Sequence, residues 1–377
     1  MPTARKDIIR KGEEGVYHCY SRCVRRAFLC GQDPYTGQDF EHRKVWILER
    51  LQWLLSLFAI EAATPSIMSN HYHLILRTRP DLLNPLTLSD EQVVRNWLRT
   101  LPKEGRFDEH WAPRELDDAE VAQILQDPER VATLRSQLCD VSWFMACFNE
   151  YIARRANDED DITGRFFDDR FGSQALLDEV SILACMVYVD LNPIRALIAD
   201  SPECSLFTGA FDRIVARQAK EKIAALAQAR REKAPEAPAR GKLSAAQVQA
   251  IGKAMSERTQ DRWLCPLDNR KDKGKRGSKG AARRGIIPLS TDEYLKLLDW
   301  TGRQIRSGKR GAIPAHLAPI LQRLKLDVDA WLRMVEGLGK LFWRVVGRVE
   351  AIVKAARVAG KRWFKGMASS RAIFGST

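Results

Sequence analysis

The sequence predicts an α+β chain, and three observations carry that prediction. Strand-like and helix-like patterns alternate through the first 208 residues, with runs of β-formers giving way to apolar residues at steps of three and four. The strand-like runs are short and bounded by Ser, Asn, Gly or Pro, which suits antiparallel strands with two or three helices on one face. Hydrophobic residues make up 45% of the 377, enough for a sizeable core.

The elements follow in order. Gly15 to Val24 is rich in β-formers and reads as a strand. Residues 42–58 place Val45, Leu48, Leu51, Leu55 and Phe58 at helical spacing. Ile60 to Met68 carries Thr64 and Pro65, so it is expected as an edge or irregular strand. Ser69-Asn70 is a turn, and His71 to Thr78 is a clear strand. Residues 80–128 hold Pro-punctuated, acidic helical pieces that look like an insertion. From Glu129 to Ala156 the apolar residues Val131, Leu134, Leu138, Val141, Met145, Phe148 and Ile152 form a packing seam, which predicts one long helix. A strand-like block over Gly164–Ala175 precedes a helix that Asp178 could cap and that ends near Asn192-Pro193.

Past Phe207 the composition changes, dividing the chain into 1–208, 209–285 and 286–377. Arg270 to Arg284 holds eight basic residues against Asp272, with glycines and no apolar periodicity, and is expected as a flexible basic linker. A helical region resumes at Ile286, and after Trp331 there are ten Lys or Arg against two Glu. Lys340, Arg344 and Arg348 recur every four residues, as a positive stripe on one helix face would, with Phe342, Trp343 and Trp363 among the charges.

Lys and Arg total 61 against 48 Asp and Glu, a net charge of +13. That excess points to a polyanionic partner. A membrane is the weaker reading: no run of 18 apolar residues occurs, and the greasiest stretch, Leu51–Ala63, is interrupted by Gln52 and Glu61. Met1 to Lys6 lead into polar sequence without an apolar stretch, so no secretory signal is expected. Eight cysteines are too sparse for a disulfide scaffold, and the absence of any CxxC pair argues against structural zinc. The expectation is a soluble, cytoplasmic, reduced protein. No GxxxxGK[ST] loop is present to suggest nucleotide hydrolysis.

The sharpest local feature is His71-Tyr72-His73. In a strand, residues i and i+2 share a face, so both imidazoles project together while Tyr72, Leu74 and Leu76 face the other way. Two imidazoles at that spacing can hold one divalent cation and leave positions for a phosphate oxygen. The bland alternative is a pair of surface strand histidines.

The segment Met68-Ser69-Asn70-His71-Tyr72-His73-Leu74-Ile75-Leu76 resembles the His-hydrophobe-His strand of the single-tyrosine HUH transposases, and more closely that of the REP-associated tyrosine transposases. Three further segments fit that family in order: Tyr17 to Arg22 as its first strand, Gly164 to Phe171 as its tyrosine block, and Tyr188 to Ala196 as its closing helix and turn. The resemblance spans roughly residues 12–200. It implies a ferredoxin-like antiparallel sheet, Mg²⁺ or Mn²⁺ on His71 and His73, and cleavage of single-stranded DNA near hairpins through a phosphotyrosine link. It also implies a third metal ligand shortly after the tyrosine, which points to Gln174. His18 reads as a structural strand histidine.

One departure matters. Phe171 stands where the family's tyrosine is expected, and a phenyl ring cannot form the covalent link. Tyr188 and Tyr151 are the substitutes the sequence offers, each with a packing role as the plainer account. Candidate nucleic-acid contacts are Arg22, Lys271, Lys273, Lys275, Arg276, Arg283, Arg284, Lys340, Arg344 and Arg348. Two readings follow: a metal-dependent single-stranded DNA nickase or transposase, or a domesticated nucleic-acid-binding relative without a nucleophile.

Overall fold

The computed structural model describes residues 7–24, 29–33, 37–100, 107–108, 111–113, 115–233, 245–270, 283–307, 321–322 and 326–374. Strand β1 (Val16–Arg22) leads to helix α1 (Arg43–Leu57) and to the hairpin of β2 (Ile60–Ile67) and β3 (His71–Thr78). Three helices then fill the expected insertion and the stretch after it: α2 (Asp90–Thr100), α3 (Asp118–Leu125) and α4 (Pro128–Gln137). Helix α5 (Val141–Glu159) returns the chain to strand β4 (Gly172–Leu176). The seam expected as one long helix is therefore two. Asp140 breaks it, because its carboxylate accepts from the Ser142 amide and caps α5, while the apolar spacing runs through the break undisturbed.

These strands form one sheet in the order β2-β3-β1-β4-β5, in which β5 (Val345–Val346) comes from the far end of the chain. The first four are mutually antiparallel and β5 runs parallel to β4. As its Thr-Pro pair suggests, β2 lies at an edge and is irregular, its register slipping between Ala62 and Thr64. That edge is covered: the Cys265 amide donates to the Ala62 carbonyl at 2.8 Å, and Ser66 bridges Thr208.

Register assigns the two faces. Val16, His18, Tyr20 and Arg22 oppose Arg77, Ile75, His73 and His71 across β1 and β3, and Gln174 opposes His18 from β4, so all share one face, here the His face. Tyr17, Cys19, Ser21, Tyr72, Leu74 and Leu76 share the other. Helix α5 packs there: Phe148 meets the Tyr72 ring at 5.2 Å, and Asn149 accepts from the Tyr72 hydroxyl and donates to Ser21. Helix α1 joins α5 through Trp46 against Tyr151.

Helices also cover the His face, contrary to the one-sided packing expected. Asp178 caps α6 (Glu179–Asp190) in a reciprocal box with Ser181, and the short α7 (Asn192–Arg195) follows. Beyond it come α8 (Gly209–Lys233), α9 (Ala245–Glu257), α10 (Thr291–Ser307), α11 (Val328–Leu341), α12 (Val349–Val358) and α13 (Met367–Phe374). The described parts of the C-terminal half are built into the same core, which runs from Ile8 to Ile373. Asp190, fully buried at the end of α6, is the main weld. It accepts from Thr64 on β2 at 2.5 Å, from the Ala210 amide at 3.3 Å and from the Tyr294 hydroxyl on α10. Arg213 on α8 reaches the Ala63 carbonyl at 2.7 Å. No helix among the described residues is long and apolar enough to cross a membrane, and none of the eight cysteines is in a disulfide.

Candidate functional site

Against the end of α6, the His face carries a group built from three strands. His18 lies between His73 and Gln174: its Nε2 is 2.9 Å from His73 Nδ1, and its Nδ1 is 2.9 Å from Gln174 Oε1. The Gln174 amide nitrogen in turn donates to the carbonyls of Trp343 at 2.9 Å and Phe342 at 3.3 Å. Burial pushes His18 down to about 4, opposed by its bond to Gln174, and burial likewise holds His73 well below the usual imidazole range. His71 is lowered to about 4 by burial and then by the Arg22 charge. Its Nδ1 lies 2.6 Å from Asn70 Oδ1. The His71 and His73 rings stand perpendicular with centroids 5.0 Å apart.

Two phenols adjoin this group. Tyr188 on α6 meets His73 edge-on at 5.8 Å and His18 at 6.1 Å. The Arg195 guanidinium lies 5.0 Å over its ring. Burial raises the Tyr188 hydroxyl above the ordinary phenol range, and Arg195 works against that shift. Tyr20 sits 5.9 Å from His73 and remains 38% exposed. Its ring lies across Gly172, where a Cβ would come within 2.2 Å of Tyr20 Cζ, so this strand position must be glycine for the ring to stay. Arg22, exposed and opposite His71 in register, completes the rim.

Several residues proposed from the sequence lie elsewhere. Gln174 stands one strand beyond His18, its oxygen on His18 and its nitrogen on backbone carbonyls, so it reaches His73 through His18 and not as a neighbouring ligand. Phe171 is buried in the core. Gly172 lies on the His face opposite Tyr20. Tyr151 belongs to α5 on that opposite face, where it accepts from Arg155 at 2.9 Å and lies under Arg50. Of the two substitute tyrosines, Tyr188 is the one in ring contact with His18 and His73.

The basic candidates divide in the same way. Lys271, Lys273, Lys275 and Arg276 lie outside the described residues. Arg283 and Arg284 are docked, Arg283 donating to the Arg262 carbonyl at 2.6 Å and Arg284 pairing with Glu14 at 2.7 Å. Lys340, Arg344 and Arg348 do not form one helical stripe. Helix α11 ends at Leu341, Phe342 is extended, and Arg348 is the extended residue just before α12. The spacing of four was real, but the turn to β5 destroys its phase. Trp343 and Trp363 are 55% and 63% exposed, and the Lys365 ammonium lies 5.4 Å over the Trp343 ring.

Among the described residues no group of three or more His, Cys, Asp and Glu could by itself hold a metal. What the site offers is two imidazoles, nitrogen donors that suit Zn²⁺, Fe²⁺ or Ni²⁺ more than Mg²⁺ or Mn²⁺, which favour oxygen; of the two expected cations Mn²⁺ accepts nitrogen the more readily. Sequence reasoning took His18 as a structural strand histidine and did not single out Tyr20. Their signal was present: both lie on one face of β1, two residues apart, just as His71 and His73 do on β3.

No family model matches the chain, and no curated protein matches it significantly. Among solved structures, a REP-associated tyrosine transposase bound to a REP hairpin is similar at 11% identity and a TM-score of 0.32, over 55% of this chain and 82% of that one; the relation is a distant structural one.

Proposed function

We propose that this chain binds single-stranded DNA carrying a hairpin at the rim of its His face, where Arg22 and Tyr20 are exposed, and that it cuts and transfers a phosphodiester there with a divalent cation on His71 and His73. The observation that carries the reading is the group itself: two imidazoles held neutral, two phenols in ring contact with His73, and two arginines at the rim. The β-α-β-β-α-β order of the first four strands, arranged β2-β3-β1-β4 with α1 and α5 together on one face, is consistent with the ferredoxin-like sheet of the HUH transposases.

The chain's own residues divide the work as follows. Arg22 and Arg195 neutralise backbone phosphates and hold the strand in register. Trp343 offers an exposed ring on which an unpaired base can stack, with Lys365 beside it. A cation, when bound, polarises the scissile phosphate and favours the phenolate. The phenolic oxygen of Tyr188 or Tyr20 forms a bond to phosphorus, the bond from phosphorus to the 3′ oxygen breaks, and the phenol's proton passes through water to the departing 3′ hydroxyl. A 5′-phosphotyrosine remains.

The second reading, a nucleic-acid-binding protein without catalysis, is favoured by the burial that keeps Tyr188 protonated and by the core placement of Phe171. One experiment separates them. Incubation with a labelled hairpin oligonucleotide and Mn²⁺ is expected to give a denaturation-resistant adduct that is lost in Tyr188→Phe or in Tyr20→Phe. Binding of the hairpin with neither adduct nor cleavage would establish the second reading.

A further inference from the structure

Hydrogen positions along the buried chain from Trp343 to His73 follow from one another, and the starting point is backbone. The carbonyls of Phe342 and Trp343 can only accept, so the Gln174 amide must turn its NH₂ toward them and its oxygen toward His18. An amide oxygen also only accepts, so His18 Nδ1 carries a hydrogen. His18 is buried with Gln174 and His73 as its ring-nitrogen partners and no carboxylate on either, so it carries one hydrogen, and its Nε2 is bare and accepts from His73 Nδ1–H. His73, buried against His18 in the same way, carries its one hydrogen on Nδ1, which leaves its Nε2 as a lone pair on the side of the ring away from His18. Among the described residues, neither that nitrogen nor His71 Nε2 is engaged by another group.

We propose that the Phe342–Trp343 segment, acting through Gln174 and His18, fixes the tautomer of His73 and thereby keeps its Nε2 open for a divalent cation. Gln174 and His18 are positioning residues in this scheme, and Gln174 acts two side chains away from where a direct ligand would stand. The proposal rests on the cation site argued above, but the tautomer is a property of the metal-free protein. The arrangement also has a reversed form. If the amide turns over, its NH₂ faces His18 Nδ1, every hydrogen in the chain shifts to the other nitrogen, and His73 Nε2 becomes a donor that repels a cation. The C-terminal segment forbids that form, because the turned amide would set its oxygen against two carbonyl oxygens.

Other features were weaker. A cleft of about 660 Å³ lined by Lys220, Arg258, Arg262 and Arg283 is basic, but Arg283 is committed to backbone carbonyls there.

The test is long-range ¹H–¹⁵N correlation on ¹⁵N-histidine protein in chelator at pH 7, which distinguishes Nδ1–H from Nε2–H rings. Wild type is expected to show His18 and His73 both as Nδ1–H. In Gln174→Leu, which removes the oriented amide, His73 is expected to become a mixture, and Mn²⁺ affinity by calorimetry to fall roughly 10- to 100-fold, the range for lost outer-shell partners. His73 found as Nε2–H in wild type would overturn the proposal without recourse to any variant. So would a Gln174→Leu protein, folded by circular dichroism, whose His73 stays wholly Nδ1–H. Wild type with the expected tautomers but no Mn²⁺ binding would uphold the relay and sink the cation site, so the two failures are distinct.

Discussion

Asp190→Ala is expected to destabilise the whole chain, not just one half of it. The carboxylate is fully buried and accepts from Thr64, from the Ala210 amide and from Tyr294, while the Arg213 charge lies close enough to favour its ionised form against the burial that opposes it. Alanine leaves two hydroxyls and one amide without their acceptor and Arg213 without its counter-charge. Breaking one side of a buried charge network costs about 3–5 kcal/mol. Tyr294→Phe removes a single bond to the carboxylate and should cost about 1.5–3 kcal/mol. Urea unfolding followed by both circular dichroism and tryptophan fluorescence measures this well, since five tryptophans precede residue 208 and five follow it. The expected result is one coincident transition in wild type, shifted to lower urea in both variants with the alanine the more severe. Separate transitions in wild type, or a loss below about 1 kcal/mol for Asp190→Ala, would refute the claim that α10 and β2 are welded through this residue.

Three further outcomes are expected. His18, held neutral with its pKa lowered to about 4, costs stability as pH falls from 6.5, where the unfolded chain begins to take up its proton, toward 4; the loss is about 3 kcal/mol, and urea titrations in chelator should show a smaller acid loss for His18→Gln. Gly172→Ala must drive the Tyr20 ring off β4, at a cost of about 1–3 kcal/mol, and the loss of proton contacts between Tyr20 and His73 by NMR would show it. Arg22→Ala and Arg195→Ala should each make the slope of log K against log salt shallower by about 0.7 for a single-stranded ligand; an unchanged slope in fluorescence anisotropy would remove that arginine from the binding surface.

Sequence by itself determined what is local or periodic. The His71-Tyr72-His73 pattern settled that both imidazoles share a face, because side chains alternate in any strand, whatever the strand pairs with. Asp178 announced the start of α6, since a cap needs only the residues three positions on. Thr64 and Pro65 marked an edge strand because proline offers no amide to a second neighbour. Tertiary structure decided everything that depends on which strand lies beside which. Pairing of β4 with β1 placed Gln174 against His18. The same pairing brought Tyr20 over a glycine and beside His73. Basic composition after residue 209 suggested an appendage, yet it says nothing about the apolar face that seats α10 and α11 on α6, or about β5 closing on β4. Charge is counted along the chain, whereas burial is shared between segments that may be a hundred residues apart. The lone pair on His73 is the extreme case: it is set by a carbonyl at Trp343, and only the folded backbone brings the two within three hydrogen bonds of each other.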